Sequence, residues 1–147
     1  MFLALLLGGC VAQGDRYLPD NIDVAKGQGT IYVYRPLTAL GKRGEDPFVS
    51  IAGKSYGRMR SGSFIAANFP EGDYDVTVKQ SVLLLLPTIP KTVTVTVVRG
   101  SQSYVRVDQT IDSVSMSGGA TVTQSTSIEE VPFDVGQAEL AKTRQNN

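Results

Sequence analysis

Over most of the chain apolar and polar residues alternate with period two, the pattern of strands that bury one face. In residues 30–35, Ile31 and Val33 alternate with Tyr32 and Tyr34, and Pro36, which has no N–H to give a ladder, ends the run. Residues 48–51 and 55–59 flank Ala52-Gly53-Lys54, which predicts a hairpin with glycine in its turn. Residues 63–69 form the next expected strand, stopped by Pro70-Glu71-Gly72, and residues 74–78 alternate cleanly behind that turn. Residues 92–97 put valines on one face and threonines on the other. Arg99-Gly100-Ser101 turns this strand into residues 103–108, with Val105 and Val107 inward. Residues 111–116 and 120–124 are expected to pair across Gly118-Gly119.

Only residues 134–144 read as helical, with Asp134 as N-cap, Gln137 at the capping-box position, and Lys142 and Arg144 in the last turn. The apolar face is Val135, Ala138, Leu140 and Ala141, so this helix should dock weakly or fray. Strands this short, spaced about 8–12 residues apart and joined by Gly/Pro turns, predict an all-β fold, an antiparallel β-sandwich or barrel. Alternation in place of continuous apolar runs argues against a buried parallel sheet. The expected core is Ile31, Val33, Val49, Ile51, Phe64, Val76, Val78, Val93, Val95, Val105 and Val107.

One segment breaks the pattern. Val82-Leu83-Leu84-Leu85-Leu86-Pro87-Thr88-Ile89-Pro90 joins two well-patterned strands, where a polar loop is expected. Five consecutive apolar residues cannot all face one core. Either Leu83, Leu84, Leu85, Leu86 and Ile89 form an exposed contact loop for a bilayer or a partner, or the segment folds back as a lid over an open end of the sandwich. Residue types leave both readings open.

Composition then narrows the chemistry. A chain of 147 residues suits one domain and can bury a core without disulfides or metals. Lys+Arg 14 against Asp+Glu 14 leaves no basic excess to release counterions from a phosphate backbone, so no nucleic-acid partner is expected. With no His and one Cys, a Ser-His-Asp triad, a Cys-His pair, a thiolate or imidazole zinc site and a c-type haem are all out of reach.

The one cysteine follows a short apolar run, residues 2–9, too short for a hydrocarbon core that takes about 20 apolar residues. The run matches the centre and small-residue end of a signal peptide. Leu7-Gly8-Gly9-Cys10 resembles the bacterial lipobox, and the resemblance implies that Cys10 is acylated, palmitate included, and opens the mature chain. No Lys or Arg lies between Met1 and Cys10, and the expectation is a start further upstream or a trimmed chain. The competing reading is a buried N-terminal strand with a core cysteine. Val11, where inner-membrane lipoproteins tend to carry aspartate, implies an outer-membrane anchor facing the periplasm. The expected organisation is a signal peptide over 1–9, lipidated cysteine and polar tether over 10–26, a β-sandwich over 27–128, and a tail with a short helix over 129–147.

Gly29-Thr30-Ile31-Tyr32-Val33-Tyr34-Arg35-Pro36, the hairpin Ile51-Ala52-Gly53-Lys54 and the turn Phe69-Pro70-Glu71-Gly72-Asp73-Tyr74 together resemble a family of small bacterial lipoproteins with a single β-domain of unknown function. The Pro-Glu-Gly turn also resembles that of PEGA-type surface domains. The resemblance covers residues 27–108 and implies a sandwich of the immunoglobulin or transthyretin kind, with no catalytic residues to carry over.

Other constellations read as structural. Glu45-Asp46, Asp73 with Asp75, Asp108 with Asp112, and Glu129-Glu130 are the candidate carboxylates; Asp73 and Asp75 share a strand face but follow a turn where Asp is commonly solvated. A calcium site would need 6–8 converging oxygens, so neither metal nor cofactor is expected. Lys54, Arg58 and Arg60, with Lys42-Arg43 nearby, read as a basic face for headgroups or as a protected edge hairpin. Arg35 either pairs with a buried carboxylate or caps the strand edge. The expected function is a non-enzymatic, lipid-anchored envelope protein that binds another envelope component. A small-molecule or lipid binder using the Leu83–Leu86 loop is the alternative, and a carboxylate-based cell-wall or glycan hydrolase is the third reading. Partner identity and oligomeric state are not legible.

Overall fold

A computed structural model describes residues 14–17, 27–38, 45–80, 89–119 and 121–146. Cys10, the signal segment, Lys42-Arg43 and Leu83–Leu86 lie outside the described residues.

The alternating segments become β1 (Gln28–Arg35), β2 (Phe48–Ile51), β3 (Lys54–Arg58), β4 (Ser63–Pro70), β5 (Gly72–Lys79), β6 (Lys91–Val97), β7 (Gln102–Ser115) and β8 (Thr121–Val131). They are followed by α1 (Phe133–Leu140) and the two-residue β9 (Arg144–Gln145). A five-stranded sheet in the order β8-β7-β1-β4-β9 faces a four-stranded sheet in the order β3-β2-β5-β6. This is the expected all-β sandwich, with one departure: β1 pairs with β7 in parallel, as β4 does with β9.

Between the sheets, Ile31, Val33, Ile65, Val105 and Val107 meet Val49, Ile51, Met59, Val76, Val78, Val95 and Val97, with Val93 partly buried beside them. Phe64 belongs elsewhere. Its neighbour Ile65 takes the inner face, and Phe64 joins Tyr17, Tyr32, Tyr34, Tyr104 and Leu140 in a second cluster on the outer face of the five-stranded sheet. The middle of that sheet is therefore buried on both sides. Tyr32 and Tyr104 stack with ring centroids 5.3 Å apart, and Tyr17 meets Tyr32 edge-on at 5.4 Å. Each such side chain, fully buried, contributes about 1.5–3 kcal/mol. Tyr17 comes from the segment read as a tether. It docks there together with Asp15, whose carbonyl accepts the Gln145 N–H at 2.6 Å.

Three boundaries differ from the sequence pattern. The strand ending near Asp108 and the one starting at Ile111 are a single β7, with a register shift between Ile111 and Ser113. Strand β8 runs on to Val131, past the boundary expected at residue 128. The helix begins at Phe133 behind Pro132, with no side-chain cap, and ends at Leu140 instead of reaching Arg144. Pro132 explains the start, since its fixed φ and missing N–H suit the position ahead of the first turn. The helix docks closely, with Gly136 and Leu140 buried against the sheet.

The Ala52-Gly53 turn has positive φ at both residues, 51° and 78°, the primed geometry that matches strand twist. The Ala52 N–H donates to the Asp75 carbonyl at 2.9 Å, tying the hairpin to β5. The Pro70-Glu71-Gly72 corner carries the chain from one sheet to the other, with Phe69 and Tyr74 packed at 4.6 Å across it. Among the described residues no helix is long and apolar enough to cross a membrane.

Candidate functional site: the polar end of the sandwich

Inward-facing positions are apolar along most of each strand, then turn polar at one end. On β6 the inward positions run Val97, Val95, Val93 and end at Lys91; on β7, Val105 and Val107 are followed by Gln109; on β8, Ile128 is followed by Thr126 and Gln124. Gln109 and Thr126 are opposite one another on the β7–β8 ladder. Here an open cavity of about 260 Å³ is lined by Val78, Gln80, Ile89, Lys91, Gln124, Ser125 and Thr126.

The polar groups at this end of the sandwich are unusually placed. Gln109 is fully buried, and neither its amide nitrogen nor its amide oxygen has a partner; Thr126 is 8% exposed, and its Oγ1 is likewise unpartnered. Three other buried hydroxyls are satisfied: Thr30 donates to Asn68 at 2.7 Å, Ser63 to the Arg60 carbonyl at 2.6 Å and Thr143 to the Leu140 carbonyl at 2.6 Å. Each buried group left unpaired costs about 1–3 kcal/mol. The Lys91 ammonium reaches over from β6 and donates to the Thr126 carbonyl. Ile89, a candidate contact residue from the sequence, stands at the cavity mouth with 89% of its surface exposed.

A second cluster lies on the outer face of the five-stranded sheet. Arg106 on β7 meets Asp108 at 3.2 Å, Glu139 of α1 at 3.1 Å, and Glu129 of β8. Tyr34 donates to the same Glu139 carboxylate. Burial pushes the Asp108 carboxyl above its ordinary range, Arg106 opposes this, and Glu139 and Glu129 add to the rise. Burial also raises the Tyr34 phenol well above its ordinary value, reinforced by the bond to Glu139. One guanidinium thus joins β7, β8 and α1, and the cluster fixes the helix to the sheet. Among the described residues no three potential ligands converge to hold a metal ion.

The remaining candidates are surface or framework groups. Asp73 and Asp75 accept hydrogen bonds from Thr96 and Thr94, their ladder partners, at 2.7 Å each on the exposed face. Arg35 is fully buried and pairs with Asp46 at 2.7 Å, also donating to the Met59 carbonyl at 3.0 Å. Lys54 and Arg58 lie over the rings of Tyr56 and Phe48, and Asn146 accepts from the Arg60 N–H. The basic hairpin is thereby packed onto its own aromatic residues. The sequence reading passed over Lys91, Gln109, Thr126, Arg106 and Glu139. The signal for the first three is a polar residue at an inward position of an otherwise apolar stripe.

These features define a small all-β domain of two facing sheets, apolar between them and polar at one end. The chain belongs to the family described as "Protein of unknown function (DUF2846)", which matches residues 25–120. The match takes in β1 to β7 and the turn beyond; β8, α1 and β9 follow it. Comparison with curated proteins finds no similar sequence.

Proposed function

We propose that this chain is a non-enzymatic, lipid-anchored protein of the bacterial cell envelope, held at the periplasmic side of the outer membrane, whose sandwich binds another envelope component. The observation that carries the binding role is the cavity lined by Thr126, whose buried Oγ1 lacks a partner that a bound molecule can supply. The anchor is supported by Leu7-Gly8-Gly9-Cys10. Tyr17, docked on the five-stranded sheet, is seven residues beyond Cys10, a reach of at most about 25 Å. An acylated Cys10 therefore keeps this domain close to the bilayer. The Pro70-Glu71-Gly72 corner between the sheets supports kinship with PEGA-type surface domains. The cavity also favours the second reading, a small-molecule-binding lipoprotein, because it lies at an end of the sandwich and Gln80 and Ile89, which flank residues 81–88, both line it.

Two measurements test the proposal. Cys10→Ala should abolish labelling by a clickable fatty acid and release the protein from membranes; continued labelling and sedimentation would sink the anchor. A photocrosslinker at Ile89 should capture an envelope component in intact cells, while one at Thr96, on the exposed face of β6, should not. Equal capture at both positions, or none at Ile89, would sink the binding role at this end.

A further inference from the structure

We infer that the cavity at the polar end takes a small carboxylate whose other polar groups are amides, such as the C-terminus of a short peptide. The inference rests on the binding role proposed above and adds the chemistry of what is bound. Lys91 is the charged member of the lining, and no carboxylate stands among the described lining residues. An ammonium has three donors, and Lys91 spends one on the Thr126 carbonyl, leaving others for an anion. One positive charge matches a monoanion; a phosphate monoester would bring in a charge that nothing in the lining offsets. Gln124 presents an amide, which both donates and accepts, and Thr126 adds a hydroxyl with no partner of its own. Amide groups of a ligand complement such a set in both senses. Val78 and Ile89 give short aliphatic walls. At about 260 Å³ the cavity falls below the range of drug-sized sites, which start near roughly 300 Å³, so the ligand is small.

The probe is N-acetyl-alanyl-alanine, compared with the same dipeptide capped as its C-terminal amide, titrated calorimetrically into the full-length chain in detergent. The free acid should bind, and the amide at least tenfold more weakly. Lys91→Met should lower affinity for the acid at least tenfold and leave that for the amide unchanged. Thr126→Val should weaken binding of the acid yet leave the unliganded protein as stable or more stable, because it removes a hydroxyl with no partner. A purely structural Thr126 would instead lower stability with binding intact. Equal affinity for acid and amide, no binding of either, or displacement of the acid by equimolar inorganic phosphate overturns the inference. Should Lys91→Met fail to fold, the acid–amide comparison on the unaltered chain decides. Absence of acid binding with crosslinking at Ile89 retained defeats the ligand chemistry alone; loss of both defeats the binding role with it.

Discussion

Gly136 rests directly on the ring of Tyr104: a Cβ built at position 136 would lie 2.3 Å from Tyr104 Cγ. No side chain fits there, and the helix approaches the sheet as closely as its backbone permits. Phe133, one turn earlier, meets the same ring edge-on at 5.7 Å. Gly136→Ala gains about 1 kcal/mol of helix propensity but forces an overpacked contact costing about 1–3 kcal/mol. We expect a net loss, read as a thermal midpoint lower by a few degrees. A higher midpoint would mean that the helix is not pinned at this contact.

Arg35 and Asp46 form the most buried ion pair in the described chain, with no exposed surface on the arginine side chain. Removing one partner leaves a charge in a dry site. Asp46→Ala should therefore destabilise by about 3 kcal/mol in urea unfolding. The double variant Arg35→Met with Asp46→Leu should lose less than the single one, since no buried charge is left over. The opposite order would show that packing of the arginine stem, not its charge, dominates.

The tyrosines predict alkaline sensitivity. Burial holds the phenols of Tyr32, Tyr34 and Tyr104 protonated well above their ordinary value of 10.0, with Tyr17 adding to the effect at Tyr32 and Tyr104. In the unfolded chain they ionise near 10, so the native state holds more protons above that pH. Their contribution is complete below pH 10 and lost as pH rises further, by up to about 1.4 kcal/mol per pH unit for each tyrosine. Urea midpoints should fall steeply between pH 10 and 11. Tyr32→Phe should flatten that fall and change little at pH 7, because the Tyr32 hydroxyl has no hydrogen-bond partner.

Asp108 acts in a lower range. Its carboxyl is raised above 3.8, chiefly by burial, so the native state keeps the proton where the unfolded chain has released it. This contribution is present below pH 3.8 and disappears as pH rises through the native value. In Asp108→Asn the difference in stability between pH 4 and pH 7 should shift toward greater relative stability at pH 7. An unchanged difference would show that Arg106 fully offsets the burial.

The inner core was readable because period two assigns a face. Val93, Val95 and Val97 on β6, and Val105 and Val107 on β7, turn inward as the alternation requires. The same rule fails at Phe64-Ile65, where both neighbours are apolar because both faces of the sheet are covered. What covers the outer face, Tyr17 and Leu140, comes from opposite ends of the chain, and no local pattern encodes that meeting. Alternation also says nothing about which strands are neighbours, so the parallel β1–β7 pair was invisible. Gln109 was legible in principle. It continues the Val105, Val107 stripe as a polar residue in an apolar register, but a single exception reads as the end of a strand until its opposite number, Thr126, is known.

The parallel pair also constrains how the chain can acquire its structure. Thr30 of β1 faces Gln102 of β7, nearly half the chain's length later, and β1 is the middle strand of its sheet. Contacts this distant in sequence form slowly, because a long loop must close before they stabilise anything. A chain emerging from its N-terminus can pair β1 with β4 but must carry the other edge of β1 bare until β7 arrives. Such an edge is a template for wrong partners. The domain thus has no N-terminal half that can fold first and wait: a chain that stops before β7 keeps its central strand open on one side.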